Sequence, residues 1–176
     1  AIDLEIIQTE GFQAVKKVDP NLVLKKKEGR EQEVQEGWVG HIIPFELVQA
    51  TLLKEDADAL EKLASGLAEI PSAYEAVLDS LTEDEKESCP ELLSDEGDGF
   101  VLKEVSKKIK ELKADKSPEA AALRAKLEQA EAVSKKEKAL KASMKRDSAR
   151  LQAKTKETIE GLTDGQAVEL LDKKWI

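Results

Sequence analysis

The sequence predicts a mainly α-helical protein: a long antiparallel helical hairpin or coiled-coil bundle, preceded by a small irregular or β-hairpin segment at the N-terminus. Two long stretches repeat an apolar residue every three or four positions, the spacing of a helix with one apolar face. Only 9 glycines and 5 prolines occur in 176 residues, too few for a turn-rich all-β protein. We therefore divide the chain into residues 1–43, interpreted as the remainder of an upstream domain, and residues 44–176, interpreted as a helical coiled-coil interaction domain.

The N-terminal segment contains two short apolar runs that are typical of strands. The first is Leu22–Leu24 and the second is Trp38–Ile43, with Gly29 and Gly37 in the polar stretch between them. This pattern favours two short strands joined by a loop over residues 27–36. An irregular cap is the alternative interpretation, because each run is short.

The first long helix is predicted to begin at Pro44. Proline suits the first helical turn because the N–H groups of that turn form no hydrogen bond within the helix, so the missing N–H costs nothing. The apolar and small residues of this helix recur every three or four positions, except that the polar Asp56 occupies the position between Leu52 and Ala59. The apolar and small residues are Phe45, Val48, Leu52, Ala59, Leu63, Leu67, Ile70, Tyr74, Val77 and Leu81. Pro71 removes one hydrogen bond within this stretch. We expect a kink there because the spacing continues beyond it, with an ordinary helix end as the alternative.

Shorter elements are predicted between the two long helices. Thr82–Glu85 reads as a capping box that opens a short helical turn, and Cys89-Pro90 breaks that turn. Ser94–Gly99 reads as a loop, and Val101–Lys113 as a basic amphipathic helix with Val105, Ile109 and Leu112 on one face.

The second long helix is predicted to begin at Ser117-Pro118-Glu119 and to end at Gly161, with no proline or glycine between Glu119 and Glu160. Four of the eleven positions on its apolar face are polar, which favours a heteromeric partner over a simple dimer. Thr163–Gln166 is a second capping box, and it opens a last helix. The eleven positions are Leu123, Leu127, Ala130, Ser134, Glu137, Leu140, Met144, Asp147, Leu151, Thr155 and Ile159.

Charge is distributed unevenly along the chain. Residues 55–98 hold 15 acidic and 2 basic side chains, whereas residues 101–156 hold 17 basic and 8 acidic ones. The net charge of −9 excludes a protein that is basic throughout and coats nucleic acid. We expect antiparallel pairing that brings Asp58, Glu61 or Glu75 near Arg150, Lys145 or Lys135. Two alternatives remain: separately solvated faces, or a basic helix over residues 101–156 that contacts the DNA phosphate backbone through Lys135, Lys136, Lys145 and Arg146.

No residue pattern predicts a catalytic, cofactor-binding or metal-binding site. The single histidine, His41, has no second histidine or cysteine at metal-ligand spacing, and Cys89 has no histidine partner in sequence. Asp95, Glu96 and Asp98 lack the spacing and the closing glutamate of a calcium loop. We therefore expect this chain not to be an enzyme by itself. The lone cysteine favours a reducing compartment such as the cytoplasm, and no apolar run approaches the roughly 20 residues that cross a membrane.

The chain is expected to be a piece of a longer protein. Its only methionine is Met144 and its first residue is alanine, while the last two residues, Trp175 and Ile176, provide no polar tail.

Four segments resemble the C-terminal part of the modification (methyltransferase) subunit of bacterial type I restriction–modification enzymes. They are Gly11–Lys27, with the sequence GFQAVKKVDPNLVLKKK; Gln35–Gln49, with QEGWVGHIIPFELVQ; Leu67–Leu81, with LAEIPSAYEAVLDSL; and the ending from Leu162 to Ile176. Together the similar regions cover roughly residues 10–81 and 150–176. The run from Trp38 to Val48 is the most specific of these matches.

The resemblance implies a parent subunit that transfers a methyl group from S-adenosylmethionine to the N6 amino group of adenine in duplex DNA. Its catalytic domain would lie upstream, with a glycine-rich cofactor loop and an Asn-Pro-Pro-Phe type motif that holds the flipped base. Neither motif is present in this chain. Asp19-Pro20-Asn21-Leu22 has one proline and no aromatic residue, so no catalytic role is carried over to it.

For this chain the resemblance implies a helical region that docks onto the DNA-specificity subunit, with DNA reached only through the complex and a homodimer possible for the isolated chain. A generic coiled-coil spacer remains an alternative. The residues expected at the helix-packing or partner interface are Leu52, Leu63, Leu67, Tyr74, Leu123, Leu127, Leu140, Met144, Leu151, Ile159 and Trp175.

Overall fold

The computed structural model describes residues 2–176, and within them it is mainly helical with one antiparallel β-hairpin near the N-terminus, as the sequence predicts. Short 3₁₀ turns occur at Phe12–Lys16 and Pro90–Leu92. The helices and strands are α1 (Ile2–Glu10), β1 (Val18–Lys27), β2 (Arg30–Gly40), α2 (Phe45–Leu52), α3 (Lys54–Ala68), α4 (Ile70–Ser80), α5 (Glu83–Ser88), α6 (Leu102–Ala114), α7 (Pro118–Glu160) and α8 (Asp164–Trp175).

The hairpin is longer than the sequence suggests, and the predicted loop over residues 27–36 is wrong. Strands β1 and β2 pair from Val18 opposite Gly40 to Lys27 opposite Arg30. The connecting turn has only two residues, Glu28 and Gly29, with φ of 53° and 78°. Such two-residue turns match the twist of paired strands, so strand pairing extends into the polar stretch.

The base of the hairpin rests on α7 through a glycine. Gly37 has a φ of 75°, and a Cβ at this position would lie 2.1 Å from the side-chain oxygen of Gln152. Next to it, the Lys156 ammonium lies 4.6 Å from the centre of the Trp38 ring, a cation–π contact. A larger residue in place of Gly37 would displace the flexible end of Gln152 and would have to adopt the positive φ that glycine takes without strain.

The first predicted long helix is three helices, α2, α3 and α4. An unexpected break occurs at Leu53, with φ of −123° and ψ of 34°. The break shifts the apolar face, so that Leu53 and Leu60 are covered while Leu52 and Ala59 are exposed. At Pro71 the helical path continues, since Glu69 keeps αR dihedrals and accepts a hydrogen bond from the N–H of Ala73. The helix is nevertheless divided next to this proline, since α3 ends at Ala68 and α4 begins at Ile70.

The second predicted long helix is confirmed as α7, of 43 residues or about 65 Å. The Ser117 hydroxyl accepts a hydrogen bond from the N–H of Ala120, and the helix ends one residue before Gly161. All eleven positions of its predicted apolar face are buried or half-buried. Both capping boxes are also confirmed, at Thr82 for α5 and at Thr163 for α8.

The described chain divides into two units, each with its own core. Unit 1 comprises the residues up to Glu61 together with Lys145–Ile176, and unit 2 comprises Lys62–Met144. This division does not coincide with the expected boundary after residue 43, because residues on both sides of that boundary share the first core. Its buried members are Ala14, Val15, Ile42, Ile43, Phe45, Val48, Leu53, Leu151, Ile159, Leu162, Ala167, Leu170 and Leu171. The second core, in unit 2, is formed by Leu78, Leu81, Cys89, Leu92, Val105, Ile109, Leu112, Ala120, Leu123 and Leu127.

Within unit 1, α7 contacts α2 and α3. The Gln49 side-chain amide donates a hydrogen bond of 3.2 Å to the Thr155 hydroxyl, and Asp56 pairs with Lys154 at 2.5 Å and with Arg150 at 3.9 Å. Residue numbers thus rise along one partner as they fall along the other, which is antiparallel packing.

Within unit 2, α7 contacts α3 and α4 in the same antiparallel sense. Gly66 lies against the Leu140 side chain, and the Tyr74 hydroxyl donates to Glu137 over 3.3 Å. The expected acidic partners are wrong in detail. Within residues 2–176, Asp58, Glu61 and Glu75 form no ion pair, and Lys135 pairs with Glu131 of its own helix.

Candidate protein-interaction surface

Four of the residues expected to meet a partner are buried inside the chain. Leu123 and Leu127 belong to the second core, whereas Leu151 and Ile159 belong to the first. Leu127 and Ile159 are 0% exposed. Their apolar faces are satisfied intramolecularly, so these four residues stabilise the fold and are not available to another subunit.

Five further interface candidates are half-buried, all within unit 2: Leu63, Leu67, Tyr74, Leu140 and Met144. Tyr74 shows what occupies this region. Its ring centre lies 6.4 Å from that of Phe100, its hydroxyl contacts Glu137, and burial raises its pKa. Tyr74 is therefore engaged by neighbouring side chains of the same unit.

Two of the expected interface residues remain exposed, Leu52 and Trp175. Leu52 is exposed because the break at Leu53 turns it away from the first core. Trp175 is 48% exposed although it is held in place, since its indole N–H donates a 3.1 Å hydrogen bond to Asp3 of α1. The Lys174 ammonium contacts the same carboxylate at 2.6 Å and the Ile42 carbonyl at 2.8 Å. These hydrogen bonds, first from Lys174 and then from Trp175, lower the pKa of Asp3.

Exposed apolar side chains on α1 and α8 define what we call the α1–α8 surface: Ile2, Leu4, Val168 and Trp175. Val168 and Trp175 are seven residues apart, which places them on one face of α8. The neighbouring face of α8 enters the first core through Ala167, Leu170 and Leu171. Exposed apolar residues grouped on an ordered scaffold are typical of protein-binding sites.

The contribution of α1 was missed at the sequence level. A signal was present, because Ile2 and Ile6 are four residues apart and Gly11 follows the helix. Ile6 and Ile7 contact the first core and hold α1 in place, which leaves Ile2 and Leu4 outside.

The four predicted DNA-backbone residues are all exposed, but they are divided between the units. Lys135 and Lys136 belong to unit 2, and Lys145 and Arg146 to unit 1. Lys135 pairs with Glu131 at 3.7 Å and Arg146 with Asp147 at 3.0 Å. In the described part of the chain, Lys136 and Lys145 have no ion-pair partner.

The single histidine lies between two carboxylates. Its Nδ1 is 2.5 Å from Asp19 of β1, and its Nε2 is 3.3 Å from Glu10 of α1. The hydrogen bond to Asp19, with a smaller contribution from Glu10, raises the pKa of His41. Lys17 also contacts Glu10, at 2.7 Å, and lowers the pKa of that carboxyl. Both ring nitrogens are therefore engaged, and the cluster clamps α1 to the base of the hairpin.

Two further features singled out in the sequence, Cys89 and the acidic loop that follows it, both lie in unit 2. Cys89 is buried in the second core, which shields its thiol. In the loop that follows, Asp98 accepts a 2.7 Å hydrogen bond from the Ser94 hydroxyl. No group of three or more histidine, cysteine or carboxylate side chains in the described range could hold a metal ion.

None of the helices described is both long enough and apolar enough to cross a membrane. Comparisons with protein-family models, with curated proteins and with solved structures found no match for this chain.

Proposed function

We propose that this chain is a non-catalytic assembly module from the modification subunit of a type I restriction–modification enzyme, and that it docks onto the DNA-specificity subunit through the α1–α8 surface. The sequence resemblance over residues 10–81 and 150–176 supports the family. In this proposal S-adenosylmethionine and the methylation of adenine N6 belong to the parent subunit, which would act in the bacterial cytoplasm.

The observation that carries the docking proposal is the exposed but fixed indole of Trp175. Ordering a side chain on binding costs conformational entropy. The hydrogen bond to Asp3 already restricts the Trp175 side chain, so that cost is reduced. Tryptophan is also enriched among the few residues that contribute most of the binding energy at protein interfaces. A fixed, half-exposed tryptophan that is hydrogen-bonded to Asp3 of α1 suits such a role.

The proposal includes a coiled-coil arrangement of the helices. The antiparallel contacts within each unit and the covered positions along α7 support it. Two of those positions are polar and buried, Ser134 and Thr155. Polar residues at such positions select one register and one partner at some cost in stability.

The test is binding of the purified chain to the cognate DNA-specificity subunit, measured by titration calorimetry. We expect Trp175→Ala to weaken binding by about tenfold or more, as for an interface residue worth over 1 kcal/mol. Val101→Ala is the matched control, because Val101 is an exposed apolar residue of unit 2. An affinity that Trp175→Ala leaves unchanged would contradict the proposal, and so would a failure of the unsubstituted chain to bind the specificity subunit.

In the absence of the specificity subunit, the α1–α8 surface is expected to drive weak homodimer formation. Sedimentation equilibrium should then show a dimer whose dissociation constant rises in the Trp175→Ala variant. Leu127→Asp is unsuitable for such tests, because Leu127 is fully buried and an aspartate there would disrupt the second core.

A second candidate function is direct contact with the DNA phosphate backbone, favoured by the exposure of Lys135, Lys136, Lys145 and Arg146. It predicts binding to duplex DNA that weakens steeply with salt. Two double variants test it: Lys135 and Lys136 of unit 2 changed to glutamate, and Lys145 and Arg146 of unit 1 changed to glutamate. Each should lower the affinity for duplex DNA in gel-shift titrations. If neither these variants nor Trp175→Ala changes any binding, a generic coiled-coil spacer is the remaining interpretation.

A further inference from the structure

A pocket of about 310 Å³ opens between α6 and α7, wholly within unit 2, and we call it the α6–α7 pocket. Helix α6 contributes Leu102, Lys103 and Ser106 to its lining. Helix α7 contributes Glu131, Ser134, Lys135 and Lys138.

The lining carries an excess of positive charge. Three lysines face one carboxylate, Glu131, which accepts a 3.5 Å hydrogen bond from the Ser106 hydroxyl and pairs with Lys135 at 3.7 Å. Lys103 and Lys138 have no ion-pair partner among residues 2–176. Two positive charges are therefore left without a counter-charge in one concave site, which favours the entry of an anion.

We propose that the α6–α7 pocket binds a phosphate group. Lysine ammonium groups bind phosphate as point charges, and the Ser106 hydroxyl, which donates to Glu131 over 3.5 Å, can rotate to donate to a bound phosphate instead. The described lining holds no aromatic ring on which a nucleobase would stack, so the pocket recognises the phosphate and not the base.

This inference is separate from the docking proposal, because no residue of the α1–α8 surface lines the pocket. It shares only Lys135 with the four residues proposed above to contact DNA. Lys103 and Lys138 lie on different helices, so no local sequence pattern joins them.

The test is a titration of the full chain with inorganic phosphate, followed by amide chemical shifts. We expect Lys103→Ala and Lys138→Ala each to weaken phosphate binding by about tenfold, since each removes one charged donor. Glu131→Gln should instead strengthen binding several-fold, because it removes the only carboxylate of the lining. Lys110→Ala is the matched control, as an exposed lysine of α6 outside the pocket, and it should leave binding unchanged.

A second titration with a short DNA duplex identifies the source of the phosphate. Binding of inorganic phosphate with the expected order of variants supports a site for free phosphate or a phosphate monoester. Binding of the duplex alone, with the same order of variants, supports a site for the phosphodiester backbone. The proposal is overturned if neither probe binds the unsubstituted chain. It is also overturned if Lys103→Ala and Lys138→Ala bind the probe as tightly as the unsubstituted chain does, or if Glu131→Gln binds it more weakly than that chain does. Circular dichroism of each variant shows that the fold is retained.

Discussion

The two cores of this protein are assembled in different ways. The first core joins residues near both ends of the chain, from Ala14 to Leu171, whereas the second core uses only residues 78–127. Closing a long loop costs more chain entropy than closing a short one, and distant contacts form more slowly. The second core is therefore the more local structure, and the first depends on α7 and α8 to return to the N-terminal segment. Matched substitutions in the two units test this difference.

The largest effect is expected from truncation of one fully buried residue in each core. Ile159→Ala in the first core and Leu127→Ala in the second should each lower the free energy of unfolding by about 2–5 kcal/mol. Hydrogen exchange should show that amide protection falls mainly in the unit that carries the substitution.

The control for this pair is Ile159→Val, which removes a single methyl group and should cost about 0.5–1.5 kcal/mol. Equal loss of amide protection in both units after either alanine substitution would contradict the separation of the cores.

The next effect concerns the two capping boxes, which have the same geometry. The Thr163 hydroxyl accepts from the N–H of Gln166 in unit 1, and the Thr82 hydroxyl accepts from the N–H of Glu85 in unit 2, each over 3.2 Å. Replacement of either threonine by alanine should cost about 1 kcal/mol. Chemical denaturation measures the cost, and the serine variants should restore most of it. A negligible cost at Thr163 would show that α8 is held by its core residues alone.

A smaller effect, confined to unit 1, should depend on pH. The pKa of His41 is raised in the folded state by Asp19 and Glu10, while Lys17 faces Glu10 from the other side. The stabilisation is fully present below the unfolded pKa of about 6.5, and it is lost as the pH rises through the folded pKa. His41→Gln should therefore cost more stability at about pH 5.5 than at about pH 8.5. An equal cost at both pH values would contradict the clamp, and chemical shifts of the imidazole give its pKa directly.

The smallest effect is expected for the ion pairs between helices. Asp56 pairs with Lys154 in unit 1, and Glu85 pairs with Lys126 at 2.8 Å in unit 2. Asp56→Asn and Glu85→Gln should each cost less than about 1 kcal/mol, because these side chains are partly exposed to solvent. Added salt should reduce both costs. A salt-independent cost would indicate a packing contribution instead.

Much of the helical content could be predicted from the sequence because its signals are local. The start of α7 at Pro118, both capping boxes and the covered face of α6 depend on residues within one or two turns of each other. The break at Leu53 could not be predicted in this way, since neither proline nor glycine marks it. Leu53 itself is a buried member of the first core, and that core includes residues more than a hundred positions further along.

The candidate site was predictable only in part, for a related reason. Periodicity identified the apolar residues of α7, but it could not say whether they would face another subunit or the same chain. Leu127 and Ile159 proved to be core residues, while Trp175 stayed exposed. Its hydrogen bond to Asp3 joins residues at opposite ends of the sequence, and the α6–α7 pocket likewise joins Lys103 to Lys138 across two helices. No local pattern encodes such pairs.

The outer half of the β-hairpin has one further consequence. Residues 24–36 are exposed on both faces, and within the described chain the two strands pair only with each other. The unpaired edges of such a bare ribbon are a template for edge-to-edge association of chains. Here one border carries Lys25, Lys26 and Lys27, and the other carries Glu31, Glu33 and Glu36. Two copies that met along like borders would oppose charges of the same sign, whereas the lysine border of one copy is complementary to the glutamate border of the next. The charges therefore disfavour a closed pair of like edges and leave head-to-tail addition as the contact that the ribbon favours.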